Sequence, residues 1–220
     1  MELDFSVIIP YLNLVPAALA ITLEIGFASF VAAVIIAIIV GSLRTRRLPA
    51  IFRFLLAFYV EFFRGTPLLV QLFLFYYALP AFGIKIDAMA ASIITMGLNS
   101  GAYLSEVVRA SILSIDQGQY EAAEMLGYSP LQTTLHIILP QALRIAVPPF
   151  MNGLSSIIKE TSLVSVLPLV ELMKLSNQIY AKTYHPFECY ITAAVIYFII
   201  CYALTFLARW LERRLSAWVH

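Results

Sequence analysis

Charge is what this chain has least of. Asp, Glu, Lys and Arg make up 12% of its 220 residues, about half the roughly 25% of an ordinary soluble domain, while 61% are hydrophobic and the mean hydropathy is +0.88. That composition excludes a soluble globular domain and indicates an integral membrane protein. Cysteine is nearly missing too. Cys189 and Cys201 fall in or beside the last apolar segment at no metal-ligand or redox spacing, and read as small core residues rather than a disulfide. His136, His185 and His220 share no ligand spacing, so no metal site is expected. None of the nine glycines opens a G-x-x-x-x-G-K-[ST] loop, so the chain is not expected to bind ATP in the usual way. Met1 to Pro16 lack Lys, Arg and a small-residue cleavage site, which argues against a removed signal peptide. There is no internal repeat, linker or low-complexity segment. The net charge of +1 identifies no partner, and no nucleic acid is expected.

The few charges are unevenly placed. Arg44, Arg46, Arg47 and Arg53 share one connection with no acid among them, which the positive-inside rule assigns to the cytoplasm. Residues 1–16 carry Glu2 and Asp4 but no cation, fitting an outward-facing N-terminal segment before a first span from about Ala17 to Leu43. Glu24, near its outer end, either anchors at the interface or lines a vestibule. A second apolar run, about Leu55 to Leu79, returns outward. Glu61 and Arg64 are three apart on it and can form a structural ion pair, and Gly65 with Pro67 loosens the helix just beyond. After an outer loop, Ala81 to Asp87, a third span covers Ala88 to Leu113. Thr95, Asn99, Tyr103 and Glu106 recur there at close to helical spacing, with Arg109 one turn on. Lipid satisfies no hydrogen bonds, so this stripe must face the bundle interior or water.

Asp116 to Pro140 is an amphipathic island in the greasy chain. Gln117 to Leu126 predicts a short helix ended by Gly127 in the left-handed conformation. Ser129 restarts the chain as an N-cap, with Pro130 in the first helical position and Gln132 completing a capping box. Leu131, Leu135 and Ile138 then give the second helix one apolar side. The chain re-enters the membrane from Arg144 through Pro148 and Pro149 and runs to about Leu169. Asn152, Ser155, Lys159 and Ser162, spaced three, four and three apart, draw a polar line along one face. Val170 to Glu188 reads as external, with Leu169 to Leu175 as an interfacial helix. A last span, about Cys189 to Leu211, ends in Arg209, Arg213 and Arg214, cytoplasmic by charge. The expected fold is all-α with five transmembrane helices, N-terminus outside and C-terminus inside.

Residues 121–127, EAAEMLG, then nine residues and Ile137-Ile138-Leu139-Pro140, resemble the EAA loop of permease subunits in bacterial ABC importers. Residues 63–71 (FRGTPLLVQ), 99–106 (NSGAYLSE), 140–142 (PQA) and 159–163 (KETSL) are similar to the polar amino-acid branch of that family. The resemblance runs from about Ala20 to Leu215. It implies a type I ABC importer permease in the bacterial cytoplasmic (inner) membrane, with a permease domain over 17–214, a coupling loop over about 116–140 and a cytoplasmic tail over 215–220. Its implied partners are a second permease, identical or homologous, two ABC ATP-binding subunits and an extracytoplasmic substrate-binding protein. ATP and Mg would belong to those ATP-binding subunits, with no cofactor and no catalysis in this chain. Glu121, Ala122, Ala123 and Gly127 would transmit ATPase closure to the membrane helices.

A lysine at mid-membrane costs about 2.5–3.5 kcal/mol even on the lenient insertion scale, so Lys159 beside Glu160 needs an offset. Two explanations stay open. One is structural, with these charges paired to Glu106, Arg109, Glu61 or Arg64. The other is a site for a zwitterionic amino acid, for which Lys159, Glu160, Thr161, Ser162 and Asn99, with Tyr103 on the same stripe as Asn99, supply cation, anion, hydroxyls and amide. On a regular helix Lys159 and Glu160 diverge by about 100°, so both meet one ligand only if the helix breaks or the ligand wraps. Glutamine, cystine and other polar amino acids remain open as substrates. The rival readings are a stand-alone carrier or channel, which would show repeated halves, and a membrane scaffold that only recruits an ATPase.

Overall fold

The computed structural model describes residues 3–216, with side chains for 3–210. Met1, Glu2, the tail beyond Ser216 and the side chains of Arg213 and Arg214 lie outside the described residues. All regular structure among those described is helical.

A 3₁₀ helix, Phe5–Leu14, runs straight into α1, Val15–Leu43. Helicity thus begins well inside the segment expected to precede the first span. α1 presents its small residues, among them Gly26, Ser29, Ala33, Ala37 and Gly41, as its buried face, while Phe27, Val31, Ile35 and Ile39 stay exposed. Small residues let membrane helices pack backbone to backbone. At Gly41 the fit leaves no room for a Cβ, which would lie 2.6 Å from the Ser105 carbonyl oxygen and 2.7 Å from Val108 Cβ.

The second apolar run is not one straight span. α2, Ala50–Gly65, and the following helical stretch, α3 at Leu68–Phe73 continuing to Phe82, meet at 107°. Gly65, Thr66 and Pro67 provide the break. A helix ending inside the fold leaves its last carbonyls without partners, and side chains take them up. Thr66 Oγ1 donates to Phe62 O (2.7 Å), Gln71 and Asn99 both donate to Phe63 O (3.0 and 2.9 Å), and Tyr103 Oη donates to Arg64 O (3.2 Å). Asn99 Nδ2 also donates to Gln71 Oε1 at 3.0 Å, and both side chains are buried.

α4, Ala88–Leu113, is N-capped by Asp87 and matches its expected bounds. α5, Gln117–Met125, ends in a Schellman motif. Tyr128 N donates to Ala123 O (3.1 Å), Gly127 N donates to Glu124 O (2.9 Å), and Gly127 sits at φ +79°. Ser129 then caps α6, Pro130–Thr133, with the full capping box to Gln132. A π-helical turn, Thr134–Ile138, leads into α7, Leu139–Glu160, which carries Pro148 and Pro149 inside it and ends in a 3₁₀ segment, Thr161–Val166.

The outer helix starts later than expected. α8 is Leu172–Thr183, because the buried Glu171 is its N-cap, accepting from Met173 N at 2.8 Å and from Lys174 N. Tyr197 Oη donates to the same carboxylate (3.0 Å), and Leu172 N donates to Thr22 Oγ1 (3.1 Å). One cap therefore ties α8 to α1 and to α9, Pro186–Ser216. Glu188 lies past the connection that precedes the last helix. It lies buried in the first turn of α9, where it accepts from Asp4 N at 3.0 Å. Burial pushes the Glu171 carboxyl above its ordinary range.

By length and apolarity, Phe5–Leu43 and Pro186–Trp210 qualify as membrane spans, and the bent pair Ala50–Gly65 with Leu68–Phe82 makes a third if taken as one. α4 and α7 are the helices that bear the polar stripes.

Candidate functional site

A cleft of about 230 Å³ opens between α4 and α7. α4 contributes Asn99, Ser100 and Tyr103, and α7 contributes Gly153, Ser156 and Glu160. Gly153 lets the two helices close up, since a Cβ there would come within 2.9 Å of Leu104 Cδ2. Small-molecule pockets usually measure roughly 300–1,000 Å³, so this cleft falls below that range.

Of the six residues expected to touch a substrate, Asn99, Tyr103 and Glu160 line this cleft. The amide nitrogen of Asn99 and the hydroxyl of Tyr103 are already committed to the broken end of α2. What they offer a solute is the Asn99 carbonyl and the half-exposed Tyr103 ring, over which Arg64 Cζ sits 5.4 Å from the centroid. The other three point elsewhere. Thr161 is buried, donating to Ile158 O (2.7 Å) and lying 3.3 Å from Tyr197 Oη. Ser162 donates back to Lys159 O (2.7 Å). Lys159 is exposed, does not line the cleft and has no hydrogen-bond or ion-pair partner among the described residues. The divergence of Lys159 and Glu160 on a regular helix holds.

The structural explanation for these charges fails on its proposed partners. Glu106 is taken by Arg44 and by Arg109, the latter at 2.8 Å, and neither reaches α7. No ion pair joins Glu61 to Arg64 among the described residues, because the Arg64 guanidinium lies over Tyr103 instead. What remains on α7 is an exposed polar face, Asn152, Ser156 and Lys159. Ser155 is half-buried, and its backbone carbonyl accepts from Cys201 Sγ on α9 at 3.8 Å.

In the loop over 116–140, Glu121, Ala122 and Gly127 are exposed and Ala123 is buried. Sequence reasoning found the apolar side of the second helix but missed the apolar surface at the bend. Met125 is 88% exposed and Leu126 75%, with Tyr128, Leu131 and Leu135 also open. The signal was present as side chains at the bend itself, where neither short helix can fold over them. Two hollows of about 370 and 320 Å³ flank Tyr128.

A family model of the binding-protein-dependent transport system inner membrane component matches residues 6–217. The chain belongs to this family. Among its relatives, the L-cystine transport system permease protein TcyB of Bacillus subtilis (strain 168) is 40% identical over 90% of this chain and 85% of its own. The arginine transport system permease protein ArtQ of the same organism is 37% identical over 99% of both chains. A crystal structure of an amino acid ABC transporter with histidines superposes with a TM-score of 0.90 at 34% identity, covering 97% of this chain and 100% of the other. As a member of this membrane-component family, the chain has the all-helical permease fold anticipated from the EAA-like loop.

Proposed function

We propose that the chain is the permease subunit of an ATP-driven importer that moves a polar amino acid inward across the bacterial cytoplasmic membrane by alternating access. The observation that carries this reading is the α4–α7 cleft. It sets the Glu160 carboxylate and the Asn99 carbonyl beside an exposed polar face whose Lys159 is unpartnered. A cation and a carboxylate on a membrane helix are costly unless a partner or a solute meets them, and a zwitterion that wraps around the α7 face meets both. The half-formed cleft and the polar face of α7 support a second permease copy, identical or homologous, as the cover. Relatives named for L-cystine and arginine keep cystine and cationic amino acids beside glutamine as candidate cargo.

In this reading there are five spans: the α1 stretch, the bent α2–α3 pair, α4, α7 and α9, with the N-terminus outside and the C-terminus inside. Glu106 supports it by tying Arg44, at the C-terminal end of α1, to the last turns of α4, so that both helix ends lie on one side. The loop at 116–140 then lies in the cytoplasm, where Glu121, Ala122, Ala123 and Gly127 and the exposed Met125 and Leu126 offer two ATP-binding subunits a surface to seat. ATP and Mg are held by those subunits, and a substrate-binding protein delivers cargo outside.

The test is reconstitution in liposomes with the ATPase encoded beside the gene and the neighbouring binding protein, measuring ATPase stimulation by the twenty amino acids and cystine. Stimulation by one chemical class is expected. Lys159→Ala should raise the KM for uptake about 10- to 100-fold, the loss of a charge-assisted hydrogen bond worth about 1.5–3 kcal/mol, with the complex still monodisperse. Stimulation by no amino acid from an intact complex would favour the scaffold, and uptake without ATP would favour a stand-alone carrier.

A further inference from the structure

A second cleft of about 230 Å³ lies where the α1–α2 connection meets the end of α4, and four arginines, Arg44, Arg46, Arg53 and Arg109, line it. We propose that this cleft binds the phosphate of an anionic phospholipid headgroup. Four guanidiniums against the one carboxylate of Glu106 leave three positive charges uncompensated. Glu106 holds Arg44 and Arg109 in place. Arg46 and Arg53 are exposed and have no hydrogen-bond or ion-pair partner among the described residues. Guanidinium forks bind phosphate oxygens in pairs, which a converging set of arginines does better than scattered charge.

Two further features select a lipid over a free anion. Leu48 and Leu56 share the cleft with the arginines, so the wall is partly apolar. From its rim, α2 carries Ile51, Phe52, Phe54, Leu55, Phe58 and Phe62 outward, all exposed. Phe54, Phe58 and Phe62 stack with centroids 6.3 and 5.9 Å apart, a continuous apolar track for acyl chains. α2 also starts at Ala50 with no side-chain cap, leaving its first N–H groups and the positive end of its dipole beside the same arginines. Basic clefts at the inner ends of membrane helices suit anionic headgroups. A role confined to setting topology needs positive charge in the connection, but it does not need four side chains brought to one cavity.

Arg47 separates the two. It sits in the same connection, exposed, and does not line the cleft. The experiment takes the full chain in detergent micelles, adds phosphatidylglycerol or phosphatidylcholine, and counts bound lipid by native mass spectrometry. Phosphatidylglycerol should stay bound and phosphatidylcholine should not. Near an anionic surface a basic residue contributes about 1 kcal/mol, about fivefold in affinity. Arg53→Ala should therefore weaken phosphatidylglycerol binding about fivefold and R46A/R53A roughly thirtyfold, while Arg47→Ala, with the same loss of charge, changes it less than twofold. Should R46A/R53A not stay monodisperse, Arg53→Lys keeps the charge and should still lose several-fold by losing the fork. Equal losses for Arg47→Ala and Arg53→Ala would overturn the site. Displacement of the lipid by millimolar inorganic phosphate would overturn the lipid assignment in favour of a free anion. The inference rests on the membrane reading but not on the cargo: binding in micelles is blind to orientation and to transport, so failure of either leaves this result readable.

Discussion

Removing the Asn99 side chain tests whether the broken α2 end is held from α4. In Asn99→Ala, Phe63 O keeps one donor, from Gln71, but Gln71 Oε1 loses the Asn99 amide and stays buried. An orphaned buried acceptor costs about 1–3 kcal/mol, and interhelical hydrogen bonds in membranes average about 0.6 kcal/mol each, so a loss near 2 kcal/mol follows. For a chain of this length that lowers Tm by roughly 4–8 °C at about 2–4 °C per kcal/mol. Melting followed by size-exclusion chromatography of the purified chain reads it, alongside uptake kinetics. Gln71→Leu should cost more, because it strips the donors to Phe63 O, Thr66 O and Thr66 Oγ1 together. The double variant should then melt higher than the sum of the single losses, since the two share one network. Additive losses, or an unchanged Tm with a raised KM for Asn99→Ala, would refute the cap and return the amide to the substrate.

Gly127→Asp should keep the membrane helices inserted but lose co-purification of the ATPase, because a side chain at φ +79° strains the bend by about 1 kcal/mol or more; normal co-purification and uptake together would remove the coupling role. Gly41→Ala places a Cβ 2.6 Å from a carbonyl oxygen that no side-chain rotation can clear, so α1 and α4 must part, costing about 1–3 kcal/mol in melting experiments. Glu171, whose carboxyl burial raises above its usual range, gives stability that is full below the ordinary carboxylate pKa and lost as pH rises through the raised value. Glu171→Gln cannot ionise, so its Tm should fall less than that of the wild type from mildly acidic to alkaline pH; parallel Tm-against-pH curves would contradict this.

The caps of the island at 116–140 were legible in detail, though its π-helical turn and exposed bend were not. Gly127, Ser129, Pro130 and Gln132 act on backbone groups within four residues of themselves, so sequence order is enough. α4 was legible for the same reason, with Asp87 at its start. The break at Gly65–Pro67 was visible, but its 107° direction was not, because Asn99 sets it from 36 residues away. Local spacing misled at Glu61 and Arg64. Three apart, they can pair, yet the Tyr103 ring offered Arg64 another face. The cleft between α4 and α7 recovered Asn99, Tyr103 and Glu160 but separated them from Lys159, Thr161 and Ser162. Spacing places a residue on a face, while which neighbour covers that face is a long-range outcome.

The exposed polar face of α7 and the exposed Met125 and Leu126 have a joint consequence for how the protein is made. Under the proposed topology a solitary copy is mismatched with both of its solvents, wet where lipid should be and oily where water should be. In the proposed assembly each fault is mended by a different neighbour, the second permease for one and the ATP-binding subunit for the other. A newly inserted copy of that assembly therefore stays incomplete until both faces are covered.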